Sequence, residues 1–254
     1  MKLVFVRHAE PDYAIDSLTK KGHVEAELLS RRLCKLDVKN FYVSPLGRAK
    51  DTAAYTLNKL QRTAEELPWL AEFRGKYFDE NEGRERISWD FKPRFWTPRK
   101  ELHDPVEWVN DPMFKGSNVT QIWQETCEGI DEVLARHGYT RDGDGIYLCQ
   151  DNRKDTLVFF CHLGITMATV AHLMHISPVH LWQWFSTQPS SVTTLVTEER
   201  VKGEVIFRCV QMGDISHLYA GDEPYSTAGL FPEVYTGRDS TNPPEWDEEK
   251  PAME

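Results

Sequence analysis

Five side chains far apart along the chain share one chemistry. Arg7 and His8 stand together in VRHAEP (6–11), Arg48 in SPLGRAK (44–50), Glu72 in LAEFRG (70–75) and His162 in FFCHLG (159–164). Guanidinium groups are always charged and present forked donors that match phosphate oxygens. A neutral imidazole can attack phosphorus as a nucleophile. A carboxylic acid can protonate the oxygen that leaves. The set therefore suits phosphoryl transfer. Taken singly, each residue has a plainer reading: Arg48 as a surface helix residue, Glu72 as a solvated carboxylate, His162 as a hydrogen-bonded core histidine. Their joint placement carries the inference.

That placement depends on the elements around them. Residues 2–6 end in the apolar run LVFV and read as a strand buried on both faces, as parallel sheets require. Thr19 is expected to cap a helix running to about Leu36, with Val24, Leu28, Leu29, Leu33 and Leu36 as its apolar stripe. FYV (41–43) is a second strand, after which Ser44 reads as an N-cap and Pro45 as the first helical residue. Leu46, Ala49, Ala53, Leu57 and Leu60 mark that helix. AEELPWL (64–70) suits a strand only at an edge or end because of Pro68. A helix over about 120–137, the buried strand TLVFFC (156–161) and a helix over 164–175 follow. VTTLVT (192–197) and VIFRCV (205–210) flank a turn at Lys202–Gly203 and read as an antiparallel pair.

Alternating strands and helices imply an α/β fold, a three-layer α/β/α sandwich with a mostly parallel central sheet. Ligands in such sheets sit beyond the carboxyl ends of strands. Arg7 and His8 follow the first strand, Arg48 the second, Glu72 the edge strand, and His162 TLVFFC. All five would converge on one sheet edge. The expected organisation is one domain over 1–217, an inserted lid region over about 76–118, and an extended acidic tail over 218–254. The insertion carries Trp89, Trp96, Trp108 and Tyr77, and reads equally as a functional lid or as a satellite cluster packing its own aromatics.

Composition narrows the classes. A formal net charge of −10 disfavours nucleic acid as a partner. No apolar run nears the roughly 20 residues that span a bilayer, so no membrane partner is expected. Five scattered cysteines without CxxC spacing suggest reduced thiols and a cytoplasmic location. His172, His175 and His180 lack a partnering cysteine or carboxylate pattern and read as structural rather than metal-binding. A second Arg-His pair, Arg136-His137 before Gly138, reads as the basic end and αL cap of a helix. No P-loop or nucleophile-elbow motif is present.

The constellation resembles the histidine phosphatase, or phosphoglycerate mutase-like, superfamily. Arg7-His8-Ala9 stands where that family has Arg-His-Gly. SLTKKGHVEA (17–26), SPLGRAKDTA (44–53), LAEFRGKYFD (70–79) and VFFCHLGIT (158–166) resemble its further motifs. The resemblance covers about residues 2–75 and 120–210. It implies a metal-independent phosphatase without a cofactor, acting on a phosphorylated small molecule through a phosphohistidine at His8. It implies Glu72 as proton donor, with Arg7, Arg48 and His162 binding the phosphate. The alternatives are a phosphomutase or a non-catalytic phospho-ligand or protein-binding module on the same fold. Ala9 and Leu163 replace usual glycines, and the short loop after His8 lacks the Trp-Asn pair of mutase members. The oligomeric state and the natural substrate are not legible.

Overall fold

The first strand, β1 (Lys2–Arg7), is apolar on both faces because it lies in the middle of a sheet. In the computed structural model, which describes residues 1–79, 83–231 and 233–235, short strands β2 (Pro11–Asp12) and β3 (Ser17–Leu18) pair in the loop that follows β1. Helix α1 (Lys20–Leu33) leads to β4 (Asn40–Val43), helix α2 (Gly47–Leu60) and the two-residue β5 (Glu65–Glu66). The insertion holds the hairpin β6 (Lys76–Asp79) and β7 (Arg84–Ile87) and the single-turn α3 (Pro93–Trp96). After it come α4 (Val119–Arg136), β8 (Tyr139–Arg141) and β9 (Tyr147–Cys149). Next are β10 (Thr156–Cys161), α5 (Leu163–Met174) and α6 (Pro178–Trp184). The long hairpin β11 (Val192–Val201) and β12 (Glu204–Asp214) precedes α7 (Ser216–Ala220).

Eight strands form the main sheet in the order β5-β4-β10-β1-β11-β12-β9-β8. From β5 to β1 neighbours are parallel; from β1 onward they are antiparallel. Side chains alternate between two cores, as strand geometry requires. Leu3, Phe5, Leu157 and Phe159 face the larger cluster with residues of α4 and α5. Val4, Val6, Val158 and Phe160 face the smaller one, with Leu29 and Leu33 of α1 and Ala53 of α2. These are the three layers the strand and helix alternation implied.

Register does the positioning. β1 and β10 pair without stagger, from Lys2 opposite Thr156 to Arg7 opposite Cys161. β4 is one position shorter, Val43 opposite Phe160, and Val43 pairs with Glu66 of β5. The four parallel strands thus end at one level, and the residues after them share one rim.

Some boundaries differ from the sequence expectation. Thr19 does cap α1, its hydroxyl accepting from the Gly22 N–H at 3.0 Å. Val24 is exposed, because Gly22, Ala26, Leu29 and Leu33 form the inward face. Ser44 is not the N-cap of α2. That helix begins at Gly47 with Leu46 as cap, and the Ser44 hydroxyl is engaged by His162 instead. AEELPWL contributes only Glu65–Glu66 as strand, with Pro68 opening a 3₁₀ turn. In the insertion, Tyr77, Phe91, Phe95 and Phe114 pack together, while fully buried Trp108 meets Trp123 and Trp182 at centroid distances of 5.2 and 5.5 Å. The insertion is continuous with the larger core. Of the expected tail, residues 218–220 complete α7, and residues 236–254 lie outside the described residues.

Candidate active site

The rim collects all five singled-out residues. His8 follows β1 and its backbone N–H donates to the Cys161 carbonyl at 2.9 Å, which sets it beside His162. The two imidazole rings lie 5.1 Å apart between centroids. His8, His162, Arg7 and Arg48 are all buried. Arg7 is held by the loop before β11: its backbone N–H donates to Ser191 O and its guanidinium to Thr187 O. Arg48, in the first turn of α2, pairs with Asp16 at 2.5 Å.

The tautomer of His8 follows from its partner. Nδ1 lies 2.8 Å from the Ala9 carbonyl. A carbonyl oxygen only accepts, so Nδ1 carries the proton and Nε2 carries the lone pair. Burial, with the nearby Arg7 and Arg48 charges, holds the His8 pKa well below the usual histidine value of 6.5. The lowered pKa favours the neutral ring, whose lone pair is then at Nε2. The His162 pKa is lowered in the same way, by burial first and then by His8, Arg48, Arg7 and Arg74.

Glu72 sits at the N-terminus of α5. Its Oε1 accepts from the Phe73 N–H at 2.8 Å and from the Ile165 N–H at 3.0 Å, so it caps a helix whose own N-cap, His162, provides no side-chain bond. Burial raises its pKa above the ordinary 4.5, outweighing those two bonds and the attraction of Arg7 and Arg48. Both backbone donors fall on Oε1, which leaves Oε2 as the oxygen to hold a proton. Gly164 leaves little room here. A Cβ would stand 2.8 Å from Glu72 Oε1 and 2.9 Å from Trp89 Nε1.

Within an acidic chain this is a local concentration of positive potential. The Nε atoms of Arg7 and Arg48 and the Nδ1 of His162 are buried without a protein partner. Unsatisfied buried donors are uncommon, and an oxyanion is the natural acceptor for guanidinium groups. Among the described residues no group of three or more His, Cys, Asp or Glu is placed to hold a metal ion. His172 pairs with Asp131 at 2.9 Å, His175 terminates α5 and faces Asp144, and His180 packs on Trp96 and His103. None of the five cysteines is paired.

Sequence reasoning missed four contributors. Asp16, at the positive φ of 49°, accepts from the Gly47 N–H at 2.7 Å besides binding Arg48, in the loop where the Trp-Asn pair is lacking. Thr187 acts only through its carbonyl, which has no side-chain signal. Ser44 bonds His162 Nε2 at 2.7 Å. Trp89 donates to the Phe73 carbonyl at 2.9 Å, next to Glu72.

The family model of the histidine phosphatase superfamily (branch 1) matches residues 3–207. The chain belongs to this superfamily. Solved structures of similar fold include a mutant phosphoserine phosphatase from Entamoeba histolytica in complex with phosphoserine, with a TM-score of 0.58 and 14% identity, covering 85% of this chain and 98% of that one. Mycobacterial glucosyl-3-phosphoglycerate phosphatase is similar with a TM-score of 0.54 and 16% identity over 84% and 98% of the two chains. The α-ribazole phosphatase of Shigella flexneri gives 0.51 and 19% over 85% and 97%. At such identities the likeness is one of fold. No curated protein sequence matches the chain. No helix among the described residues is long and apolar enough to cross a membrane.

Proposed function

We propose that this histidine phosphatase superfamily member hydrolyses a phosphate monoester through a covalent phosphohistidine on His8, without a metal ion or cofactor. The observation that carries this reading is the fixed, neutral tautomer of His8. With Nδ1 donating to Ala9 and the ring buried beside two arginines, Nε2 is a ready nucleophile.

In the first step His8 Nε2 bonds to phosphorus as the ester P–O bond breaks. Glu72 gives its proton to the departing oxygen, so the product leaves as a neutral alcohol. Arg7 and Arg48 hold the phosphoryl oxygens and spread the charge that develops on them, the part a divalent cation has in other phosphoryl-transfer sites. His162 adds a further donor. In this reading the Ser44 hydroxyl, which accepts from the Leu46 N–H at 3.3 Å, donates to His162 Nε2 and leaves the proton on Nδ1. In the second step water attacks phosphorus, the P–N bond breaks, and the water proton returns to Glu72. Inorganic phosphate is released and the enzyme is restored.

Rapid quenching during turnover of 4-nitrophenyl phosphate tests this directly. An acid-labile, base-stable phosphoryl group on His8 is expected, formed equally well in the presence of a chelator. Single-turnover hydrolysis without any phosphoenzyme would replace the scheme with direct attack by water. Activity lost to chelation and regained with a divalent ion would overturn the metal-free mechanism.

A further inference from the structure

The alcohol side of the ester needs a site of its own. Beside the phosphate rim opens a cavity of 530 Å³ walled by Trp89, Phe91, Leu163, Trp182, Trp184 and Phe231, among others. That volume suits an organic ligand of moderate size.

The cavity is tied to the reacting groups at two points. Leu163 follows His162 directly, and Gly164 is wedged between the Glu72 carboxyl and the Trp89 indole. The proton donor and the cavity wall therefore meet across one glycine. At another edge, Gly229, which also lines the cavity, lies so close to Arg7 that a Cβ there would fall 2.9 Å from its guanidinium. The cavity thus reaches from the acid to a phosphate-binding arginine.

Stereochemistry decides what enters it. In an in-line displacement the leaving oxygen lies opposite the attacking nitrogen and next to the acid that protonates it. The group attached to that oxygen must project past Glu72, which here means past Trp89 and Leu163. Its surroundings are then mostly indole and phenyl rings, with Gln183 and Ser186 as the uncharged polar side chains among the described lining residues. Among the described residues that line it, the charged ones are one acid and one base, Asp90 and Lys92, and Asp90 also pairs with Arg86 at 3.0 Å. A carboxylate on the substrate would be taken from water into a mainly aromatic lining, which is unfavourable without a cluster of cations.

We infer that this cavity is the leaving-group subsite and that it selects phosphate monoesters of bulky, apolar or aromatic alcohols over those of small hydroxy acids. The inference rests on the catalytic reading of His8 and Glu72 and extends it to substrate class.

The test compares 2-(2-naphthyl)ethyl phosphate with ethyl phosphate and phosphoserine. The first two release primary alcohols of similar basicity, so a difference between them reports on binding of the ring rather than on leaving-group chemistry. Burying a naphthyl group should raise kcat/KM over ethyl phosphate on the order of 10²-fold, with phosphoserine at or below the ethyl ester. Trp184 and Phe231 are 64% and 47% exposed, so their replacement leaves the core packed. Trp184→Ala and Phe231→Ala should each lower the naphthylethyl-to-ethyl ratio by roughly 5- to 10-fold. A ratio near one in the parent protein, a ratio untouched by either variant, or a preference for phosphoserine would overturn the subsite assignment. If His8 is still phosphorylated in those cases, the phosphatase reading stands and only the substrate class falls. If no ester phosphorylates His8, the phosphatase reading fails and takes this inference with it.

Discussion

The dipeptide Arg-His occurs twice, and the two copies have opposite surroundings. Arg7-His8 closes a strand paired on both sides, and both residues are buried. Arg136-His137 closes the 18-residue helix α4, where Arg136 pairs with Glu65 at 2.9 Å and Gly138 turns the chain at a φ of 86°. Both histidines have lowered pKa values, and burial is the first cause in each. The direction of the shift therefore does not separate them. What separates them is which nitrogen is engaged. His137 uses Nε2 on the Tyr42 hydroxyl at 3.0 Å, whereas His8 uses Nδ1 on a carbonyl and keeps the Nε2 lone pair for the cleft. Reactivity follows from the available atom and from the cations around it.

The largest expected effect tests the member of the pair proposed as nucleophile. His8→Ala should lower kcat on 4-nitrophenyl phosphate by roughly 10⁵-fold or more while leaving the thermal transition cooperative. Residual turnover within tenfold of the parent would move the nucleophile elsewhere.

The next test concerns the group that completes the first pair and has no counterpart at the second. Glu72→Gln should slow ethyl phosphate by about 10²–10⁴-fold and 4-nitrophenyl phosphate far less, since nitrophenolate leaves without a proton. Equal losses would make Glu72 a helix cap and nothing more. The pH profile sharpens this. Neutral His8 is needed, and its lowered pKa places the acid limb of kcat/KM below pH 6.5; protonated Glu72 is needed, and its raised pKa places the alkaline limb above pH 4.5. Glu72→Gln should erase the alkaline limb with ethyl phosphate and leave the acid limb in place. An alkaline limb that survives belongs to another group.

A smaller effect is expected at Ser44. Ser44→Ala frees His162 Nε2 and should cost about tenfold in kcat/KM, near the worth of one hydrogen bond to a charged transition state. No change would place His162 outside the phosphate site. The smallest belongs to the second pair: His137→Ala should keep activity within twofold and lose about 1 kcal/mol of stability with its bond to Tyr42. A kinetic defect there matching that of His8→Ala would dissolve the comparison altogether.

Much of the first pair's setting was legible. LVFV and TLVFFC announce strands buried on both faces, and their common register carries His8 to His162. The expectation for Arg48 rested on a helix following a strand, which holds although α2 starts at Gly47 rather than Pro45. Ser44 illustrates why such details escape. A hydroxyl before a helix is locally read as a cap, and only the third dimension supplies the histidine that competes for it. Asp16 and Thr187 were invisible for a related reason. One acts across a loop whose path no periodicity encodes, the other through a backbone atom common to every residue type. The insertion resisted reading because its aromatics obey no helical or strand period, being spread over a hairpin and single turns that pack on Trp182.

The position of β1 also sets the order in which the molecule can be completed. β1 pairs with residues 156–161 on one side and 192–196 on the other, and with no nearer strand among the described residues. At ordinary synthesis rates of ~5–20 residues per second, Leu3–Val6 waits on the order of 10–40 s for both partners. Such distant pairings are slow to form and leave an apolar segment open to the wrong neighbours meanwhile. His8, the proposed nucleophile, directly follows that same strand. The proposed site can therefore be completed only after residue 192 has been made, and a chain released before it would carry the chemical groups of that site without their arrangement.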